Sequence, residues 1–175
     1  MDELLDIVDD QDMVIDQQMR SVVHEQGLQH RGVHVFLFTA DGKMLVQKRS
    51  ADRAAEPSAL DCSISEHVKA GESYLDAATR GLREEMGLDG IAIKELTKFK
   101  MNYGPNDNEI STLYEGTVDP SKVNFDREEI DEVSYHTVEE IQDMMRKPDV
   151  KFCGWFVEIM NWYLKKPAKL QILPS

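Results

Sequence analysis

Residues 71–88, GESYLDAATRGLREEMGL, are the stretch of sequence that decides the fold class. On a helical wheel its apolar side chains fall on one narrow stripe, which predicts the buried face of an amphipathic helix: Leu75, Ala78, Leu82 and Met86. Ser73 followed by Asp76 resembles a capping box, and Gly87 is suited to the position just past a helix end. We therefore predict one amphipathic helix over residues 73–86.

Acidic residues cluster on and beside this predicted helix. Glu84 and Glu85 are expected to lie away from the apolar stripe, and Glu72 precedes the helix. Arg80 stands one turn before Glu84, and such a pair contributes only about a few tenths of a kcal/mol if the face is simply solvated. The alternative is a metal site, since Mg²⁺ and Mn²⁺ take carboxylate oxygens as ligands.

The spacing of these residues favours the metal site. It resembles the Nudix signature, G-x5-E-x7-R-E-U-x-E-E-x-G-U, and the matching positions are Glu72, Arg80, Leu82, Glu84, Glu85, Gly87 and Leu88. Two positions differ, because the opening Gly falls on Glu66 and the second Glu falls on Gly81. In the family that second Glu is often a metal ligand, so another carboxylate, such as Asp107 or Glu109, would have to substitute for it.

The resemblance implies a fold and a chemistry. The implied fold is an α/β/α sandwich around a mixed β-sheet, and the implied cofactor is Mg²⁺ or Mn²⁺, held in part by Glu72, Glu84 and Glu85. A metal placed against a diphosphate neutralises charge and can lower the pKa of a water molecule. The implied partner is therefore a small molecule that contains a diphosphate.

Histidines elsewhere in the chain carry a second resemblance. Taken alone, each would more often be a hydrogen-bonded polar residue than a ligand. In context, the segments around Arg20, His24, His30, Ser65-Glu66-His67 and Asp107-Asn108-Glu109 resemble the type I isopentenyl-diphosphate isomerase branch of the Nudix superfamily. This resemblance covers nearly the whole chain.

The isomerase branch implies roles for particular residues. One metal would be bound by His24, His30, His67, Asp107 and Glu109, while Glu85 would serve a second, substrate-bridged Mg²⁺. Basic residues that would hold the diphosphate are Arg20, Arg49 and Arg53. Trp155 would present an aromatic face to a carbocation-like centre. Ser65 stands where the branch has its catalytic cysteine, and a hydroxyl transfers a proton less readily than a thiol.

The remaining pattern predicts one domain over residues 1–175, with an N-terminal strand and a C-terminal helix packed on it. Strands are expected at residues 4–8, 31–39, 44–48, 91–101 and 109–118. The turn signals are Asp41-Gly42 and residues 103–107. A short helix is expected from Thr137, and a closing amphipathic helix at 152–165 with Trp155, Ile159 and Trp162 on one face.

Composition limits the kind of partner. The net charge of −13 over 175 residues argues against a broad nucleic-acid surface, which needs clustered Lys and Arg. Apolar runs fall short of the roughly 20 residues that span a bilayer. The acidic amino terminus is unlike a signal peptide. Cys62 and Cys153 are expected to be reduced thiols, and the cytoplasm is the expected location.

Three functions stay open from the sequence. The first is a metal-dependent hydrolase of a diphosphate-containing small molecule such as a nucleoside diphosphate derivative. The second is isomerisation of isopentenyl diphosphate, and the third is a diphosphate-binding module with weak or no catalysis. The candidate catalytic residues are Glu84, Glu85, Glu109 and Ser65.

Overall fold

A computed structural model describes residues 2–104 and 106–174, which form ten strands and four α-helices. The strands are β1 Leu4–Val8, β2 Val14–Met19, β3 His30–Phe38, β4 Met44–Arg49, β5 Leu60–Asp61, β6 Ile64–His67, β7 Ile93–Asn102, β8 Asn108–Thr117, β9 Ile130–His136 and β10 Gln171–Leu173. The helices are α1 Arg20–Gln26, α2 Tyr74–Met86, α3 Val138–Met145 and α4 Gly154–Tyr163. Pro105, in the turn predicted at 103–107, lies outside the described residues.

Eight strands form the main sheet, in the order β10-β7-β8-β3-β4-β5, with β6 paired to β3 and β9 paired to β4. The central pair β3–β8 is parallel, whereas the other pairings of this sheet are antiparallel. The sheet is therefore mixed, as predicted. Strands β1 and β2 form a separate antiparallel hairpin.

The side chains of β3 point alternately into two hydrophobic clusters, one on each face of the main sheet. Val33, Val35 and Leu37 are fully buried in the cluster that also contains the apolar residues of α2. Phe36, between them in sequence, belongs to the opposite cluster with residues of α4 such as Phe156. Successive strand residues face opposite sides of a sheet, so one strand supplies both layers. This arrangement confirms the α/β/α sandwich.

Helix α2 has the predicted ends but a wider buried face. Ser73 and Asp76 form a capping box, and Gly87 ends the helix with φ of 65°. Two details of the prediction are wrong: Leu75 is 51% exposed, and Glu85 is only 6% exposed. The buried arc also includes Ala77 and Gly81, because the last turns of the helix lie against strand β6 beside the cavity described below.

Other elements differ from the sequence-based expectation because their signals are weak. The closing helix is shorter than 152–165, since Phe152 instead forms a bridge with Leu60. Helix α1 has seven residues, too few for a clear helical period. Strands β2 and β9 are mostly polar or exposed, and their pairing with β1 and β4 defines them. Among the described residues, no helix is long and apolar enough to cross a membrane.

Asp12 attaches the β1–β2 hairpin to the rest of the molecule. Its carboxylate accepts hydrogen bonds from Arg31 Nε at 2.7 Å and from the Tyr74 hydroxyl at 2.9 Å, and it pairs with Lys98. These partners lie on β3, α2 and β7, so one side chain connects three elements. The hairpin in turn carries Arg20 just after its second strand.

We expect Asp12→Asn to lower the free energy of unfolding by about 3 kcal/mol, because removing one member of a buried ionic cluster leaves the other charges uncompensated. Chemical denaturation at neutral pH measures the change. The matched control is Asp10→Asn, whose carboxylate is 71% exposed and pairs with Lys100. Asp10→Asn should lower the free energy of unfolding by less than about 1 kcal/mol. Equal effects of the two changes would contradict this account.

Candidate active site

Three histidines meet at the ends of three elements. His30 begins β3, His67 ends β6, and His24 lies on α1. The antiparallel register sets Gly32 of β3 opposite His67, which brings the ends of β3 and β6 together. The centroids of the three rings are 5.2 to 5.4 Å apart. One potential ligand atom from each ring lies within 4.8 Å of the others, so the sheet and α1 assemble the predicted histidine set.

Two acidic residues complete this cluster. The parallel register of β3 and β8 sets His30 opposite Glu109, and Asp107 immediately precedes β8. His30 Nε2 lies 3.3 Å from Glu109 Oε2 and 3.7 Å from Asp107 Oδ1. His24 Nε2 lies 3.5 Å from the same Asp107 oxygen. The five residues predicted to share a metal therefore form two overlapping groups that have His30 in common.

The tautomer of His30 makes this point suited to a cation. Its Nδ1 lies 3.0 Å from the Leu28 carbonyl oxygen, which can only accept, so Nδ1 carries a proton. Nε2 of a neutral ring then points a lone pair toward carboxylate oxygens. Among the described residues, His30 Nε2 and Asp107 Oδ1 are buried without a well-aligned hydrogen bond. A cation between them would satisfy both, so the residues present fit a divalent metal.

Charges within the cluster shift the pKa of two members. Burial works against the charged form of His30, but the adjacent Glu109 carboxylate raises the pKa of the imidazole above its ordinary value. Burial would raise the pKa of Glu109, yet the His30 imidazole beside it holds that pKa at about 2. Both shifts favour the charged form of each side chain, so His30 and Glu109 stabilise each other's charge.

Gly32 leaves the space that Glu109 uses. A Cβ at this position would lie 1.7 Å from Glu109 Oε1 and 3.0 Å from Ser111 Oγ. The carboxylate is 5% exposed, and it accepts a hydrogen bond of 2.7 Å from the Ser111 hydroxyl. Glycine is thus required here by close approach, since the Glu109 side chain lies against the β3 backbone.

The cluster opens onto a cavity of about 520 Å³. Its walls include most of the predicted site residues, namely Arg20, His24, Arg49, Arg53, Ser65, His67, Glu84, Glu85, Asp107, Glu109 and Trp155. Eight carboxylates but only three arginines are among the described residues that line it. An anionic ligand would be repelled by such walls unless cations neutralised them. Glu72 is not brought to the cavity wall.

Asp61 organises one side of the cavity. It is fully buried at the end of β5 and accepts hydrogen bonds from Arg49 at 3.2 Å and from Trp155 Nε1 at 2.7 Å. The guanidinium of Arg49 also lies 5.4 Å from the centroid of the Trp155 ring. One face of the Trp155 ring is therefore already partly covered by a cation. Arg53, nearer the surface, pairs with Glu129 at 3.2 Å.

The Ser65 hydroxyl is part of a chain of hydrogen bonds that runs from Asp61 to Glu109. Its hydroxyl donates to Asp61 Oδ1 at 2.9 Å and lies 2.9 Å from Nδ1 of His34. Nε2 of the same histidine lies 3.0 Å from the Tyr103 hydroxyl, which continues through Ser111 to Glu109. Because a hydroxyl has one proton and Ser65 donates it to Asp61, Ser65 has no proton free for a ligand.

Comparison with known proteins identifies the family. The model of the NUDIX domain family matches residues 28–156. The chain belongs to the Nudix family. It is 33% identical to the isopentenyl-diphosphate Delta-isomerase of Serratia proteamaculans over 165 residues, 92% of this chain and 91% of that protein. An uncharacterized Nudix hydrolase of Streptomyces coelicolor is 36% identical over 140 residues, 77% of this chain and 73% of that protein.

The fold agrees with this assignment. The crystal structure of DR0079 from Deinococcus radiodurans matches with a TM-score of 0.80 at 24% identity, covering 91% of this chain and 98% of that one. Together, the matches define a Nudix protein of the isopentenyl-diphosphate isomerase-like branch, as the sequence predicted.

The Nudix signature residues have divided tasks in this fold. Arg80 donates to both oxygens of Glu72, at 2.8 and 3.0 Å, and to the His67 carbonyl at 2.8 Å. Glu72 is thus occupied in holding the start of α2 to the end of β6. Glu84 is about half exposed and lies 3.3 Å from Arg80. Glu85 is the signature carboxylate that points inward from α2.

Sequence reasoning missed several residues of the site, among them His34, Tyr103 and Asp61. His34 could have been found, since it lies on the same face of β3 as His30 and Gly32. Tyr103 lies at the turn between β7 and β8, where no period indicates the direction of a side chain. Asp61 belongs to a two-residue strand that is defined by its partner.

Proposed function

We propose that this chain is a metal-dependent Nudix hydrolase that cleaves the diphosphate bridge of a small molecule such as a nucleoside diphosphate derivative. The observation that carries the proposal is the meeting of three imidazoles and two carboxylates at the wall of a strongly acidic cavity. Divalent cations would offset the repulsion between these carboxylates and a diphosphate. When bound, the metal would neutralise the phosphate oxygens and lower the pKa of water.

The chain's own residues would bind and orient the substrate. Arg20 and Arg53 at the cavity wall are proposed to contact the phosphate oxygens, and Arg49 is already held by Asp61. In the reaction, a water oxygen bonds to one phosphorus atom and the bridging P–O bond breaks. Glu84 and Glu85 are the candidates for receiving the proton released by the water.

The histidine cluster and the carboxylates of α2 favour different cations. Three imidazole nitrogens are better ligands for Mn²⁺ than for Mg²⁺, which strongly favours oxygen. We therefore propose Mn²⁺ at the histidine cluster. Either ion would suit the carboxylates of α2, where diphosphate oxygens supply the remaining ligands.

The proposal is tested with purified protein, Mn²⁺ or Mg²⁺, and a panel of nucleoside diphosphates, dinucleotide diphosphates and isopentenyl diphosphate. We expect release of a phosphate or nucleotide that depends on added metal and stops with a chelator. If no compound in the panel is hydrolysed at high enzyme concentration, the proposal is wrong. A His136→Gln variant, altered outside the cavity, controls for general effects on the protein.

Isomerisation of isopentenyl diphosphate is the second candidate, favoured by the same five-residue cluster. Against it, the Ser65 proton is already shared, and Arg49 covers part of the Trp155 ring. Both cysteines are buried, and burial raises the pKa of each thiol. Deuterium incorporation into the substrate in D₂O, followed by proton NMR, would support isomerisation. Ser65→Cys should then increase the rate.

We expect Mn²⁺ affinity to depend on pH through His30. The raised pKa of His30 means that its Nε2 carries a proton at a higher pH than usual, and metal must displace that proton. Affinity should fall by about tenfold for each pH unit below this pKa. Titration of free Mn²⁺ by electron paramagnetic resonance between about pH 6 and about pH 9 measures it. The same affinity across this range would contradict a histidine-bound metal.

A further inference from the structure

Two positions of the Nudix signature are exchanged in this chain. Glu66 occupies the place of the signature's opening Gly, and Gly81 occupies the place of its second Glu. The two positions are 15 residues apart in sequence, on β6 and α2. In the folded chain, the ideal Cβ of residue 81 would lie 3.6 Å from Glu66 Cβ. The side chains of these two positions thus start from nearly the same place.

Packing around Gly81 leaves little room for a second carboxylate beside that of Glu66. Gly81 is buried, and its Cβ would meet Ile64 Cγ2 at 2.7 Å, closer than carbon atoms approach. The next atoms are Glu85 Oε2 at 3.4 Å and Glu66 Cβ. A glutamate at 81 would therefore compete for the space used by the two glutamates already there. The absence of a side chain at 81 makes room for the one at 66.

Glu66 and Glu85 both face the cavity. Glu85 Oε1 accepts a hydrogen bond of 2.9 Å from Gln47. Glu85 Oε2 is buried and, within the described part of the chain, has no hydrogen-bond partner. Burial first, and then the neighbouring charge of Glu66, raise the pKa of Glu85 well above its ordinary value. An unpartnered carboxylate oxygen beside a second carboxylate is an arrangement that a cation stabilises.

Arg80 holds the two elements in this geometry. Its NH1 lies 3.7 Å from Glu66 Oε2, and its NH2 donates to the carbonyl of His67 on β6. The contact to Glu66 is longer than a hydrogen bond, so this carboxylate keeps an oxygen for another ligand. Arg80 thereby joins α2 to β6 while leaving the Glu66–Glu85 pair directed at the cavity.

We propose that Glu66 replaces the carboxylate that residue 81 lacks, and that Glu66 and Glu85 together hold the cation that bridges to the diphosphate. The inference rests on the proposed metal-dependent reaction at a diphosphate, and it assigns Glu66 as one ligand of the cation. The chain thus has as many carboxylates at these two positions as the Nudix signature has, but the carboxylate comes from β6 instead of α2. This pair shares no residue with the histidine cluster, which is proposed to bind its own cation.

The test is Mn²⁺ binding, measured by electron paramagnetic resonance with Mn²⁺ alone and with non-hydrolysable methylenediphosphonate. Glu66→Gln keeps the shape of the side chain and should weaken the diphosphate-dependent Mn²⁺ by at least about tenfold, while the histidine-bound Mn²⁺ is retained. Glu139→Gln, an exposed carboxylate on α3, is the control. Unchanged binding in Glu66→Gln would overturn the inference.

A reciprocal exchange tests the geometry directly. Glu66→Gly should lose the same Mn²⁺, and Glu66→Gly with Gly81→Glu should recover at least part of it. The matched comparison is Glu66→Gly with Gly81→Ala, which has the same crowding against Ile64 but no carboxylate. Equal binding by the two double variants would overturn the exchange. If the variants at 81 do not fold, Glu66→Gln alone decides.

The assignment of Glu66 and the proposed function can fail independently of each other. If the wild-type chain hydrolyses no diphosphate but Glu66→Gln loses Mn²⁺ as expected, the proposed function fails and the assignment of Glu66 stands. If hydrolysis is found and Glu66→Gln binds Mn²⁺ like the wild type, the assignment of Glu66 fails by itself.

Discussion

Replacing Glu109 with glutamine is expected to lower kcat/KM by at least about 100-fold, or about 3 kcal/mol of transition-state stabilisation. Glu109 lies 3.3 Å from His30 Nε2 and is almost fully buried, so solvent cannot substitute for its charge. An amide has the same shape but no charge for a divalent cation. Mn²⁺ affinity at the histidine cluster should fall together with the rate.

Two measurements distinguish a local effect from unfolding. The glutamine carbonyl can still accept from Ser111, so thermal unfolding of the metal-free variant at neutral pH should remain cooperative. Glu115→Gln, on the same strand and not among the described residues that line the cavity, should leave Mn²⁺ affinity and rate unchanged. If Glu109→Gln binds Mn²⁺ like the wild type, the five-residue metal site is wrong.

Gly32→Ala is expected to have a comparably large effect, although a methyl group is the only addition. The new Cβ would lie 1.7 Å from Glu109 Oε1 and 2.6 Å from Cδ, so the carboxylate must move. Movement would break its bond with Ser111 and withdraw it from His30. We expect Mn²⁺ affinity to fall by about 10- to 100-fold, the range found when the support of a metal ligand is lost.

A double variant shows whether Gly32 acts through Glu109. If it does, Gly32→Ala combined with Glu109→Gln should lose little more Mn²⁺ affinity than Glu109→Gln alone, because both changes remove the same carboxylate. Independent losses that add up would contradict this coupling. Gly154→Ala is the matched control, since its Cβ would meet nothing within 4 Å, and its Mn²⁺ affinity should be that of the wild type.

The signature helix shows how far sequence reasoning reaches. Its ends could be predicted because Ser73, Asp76 and Gly87 act on the backbone within one turn of themselves. Its buried face was predicted less well. The wheel placed Leu75 inside and Glu85 outside, and both assignments were wrong, since burial depends on what the helix packs against. A pattern of apolar residues cannot indicate that a carboxylate such as that of Glu85 is buried.

The histidine cluster shows the complementary case. His24, His30, His67, Asp107 and Glu109 could be nominated from a resemblance, residue by residue. Their meeting depends on the register of β3 with β6 and β8, which sets His30 opposite Glu109 and Gly32 opposite His67. Register is a property of paired strands, and no single strand encodes it visibly. The same holds for Asp61, which short pairing with β4 brings beneath Arg49 and Trp155.

By itself, the sequence determined the α/β/α class, the ends of helix α2 and a Nudix-type carboxylate motif, because these depend on local spacing along the chain. Only the tertiary structure decided that Glu72 holds Arg80 outside the cavity, that Glu85 is buried, and that Glu66 lies where residue 81 would extend. Those facts depend on distances of a few ångströms between segments far apart in sequence. The stretch at residues 71–88 therefore predicts the family, while its contacts with β6 determine which carboxylates face the cavity.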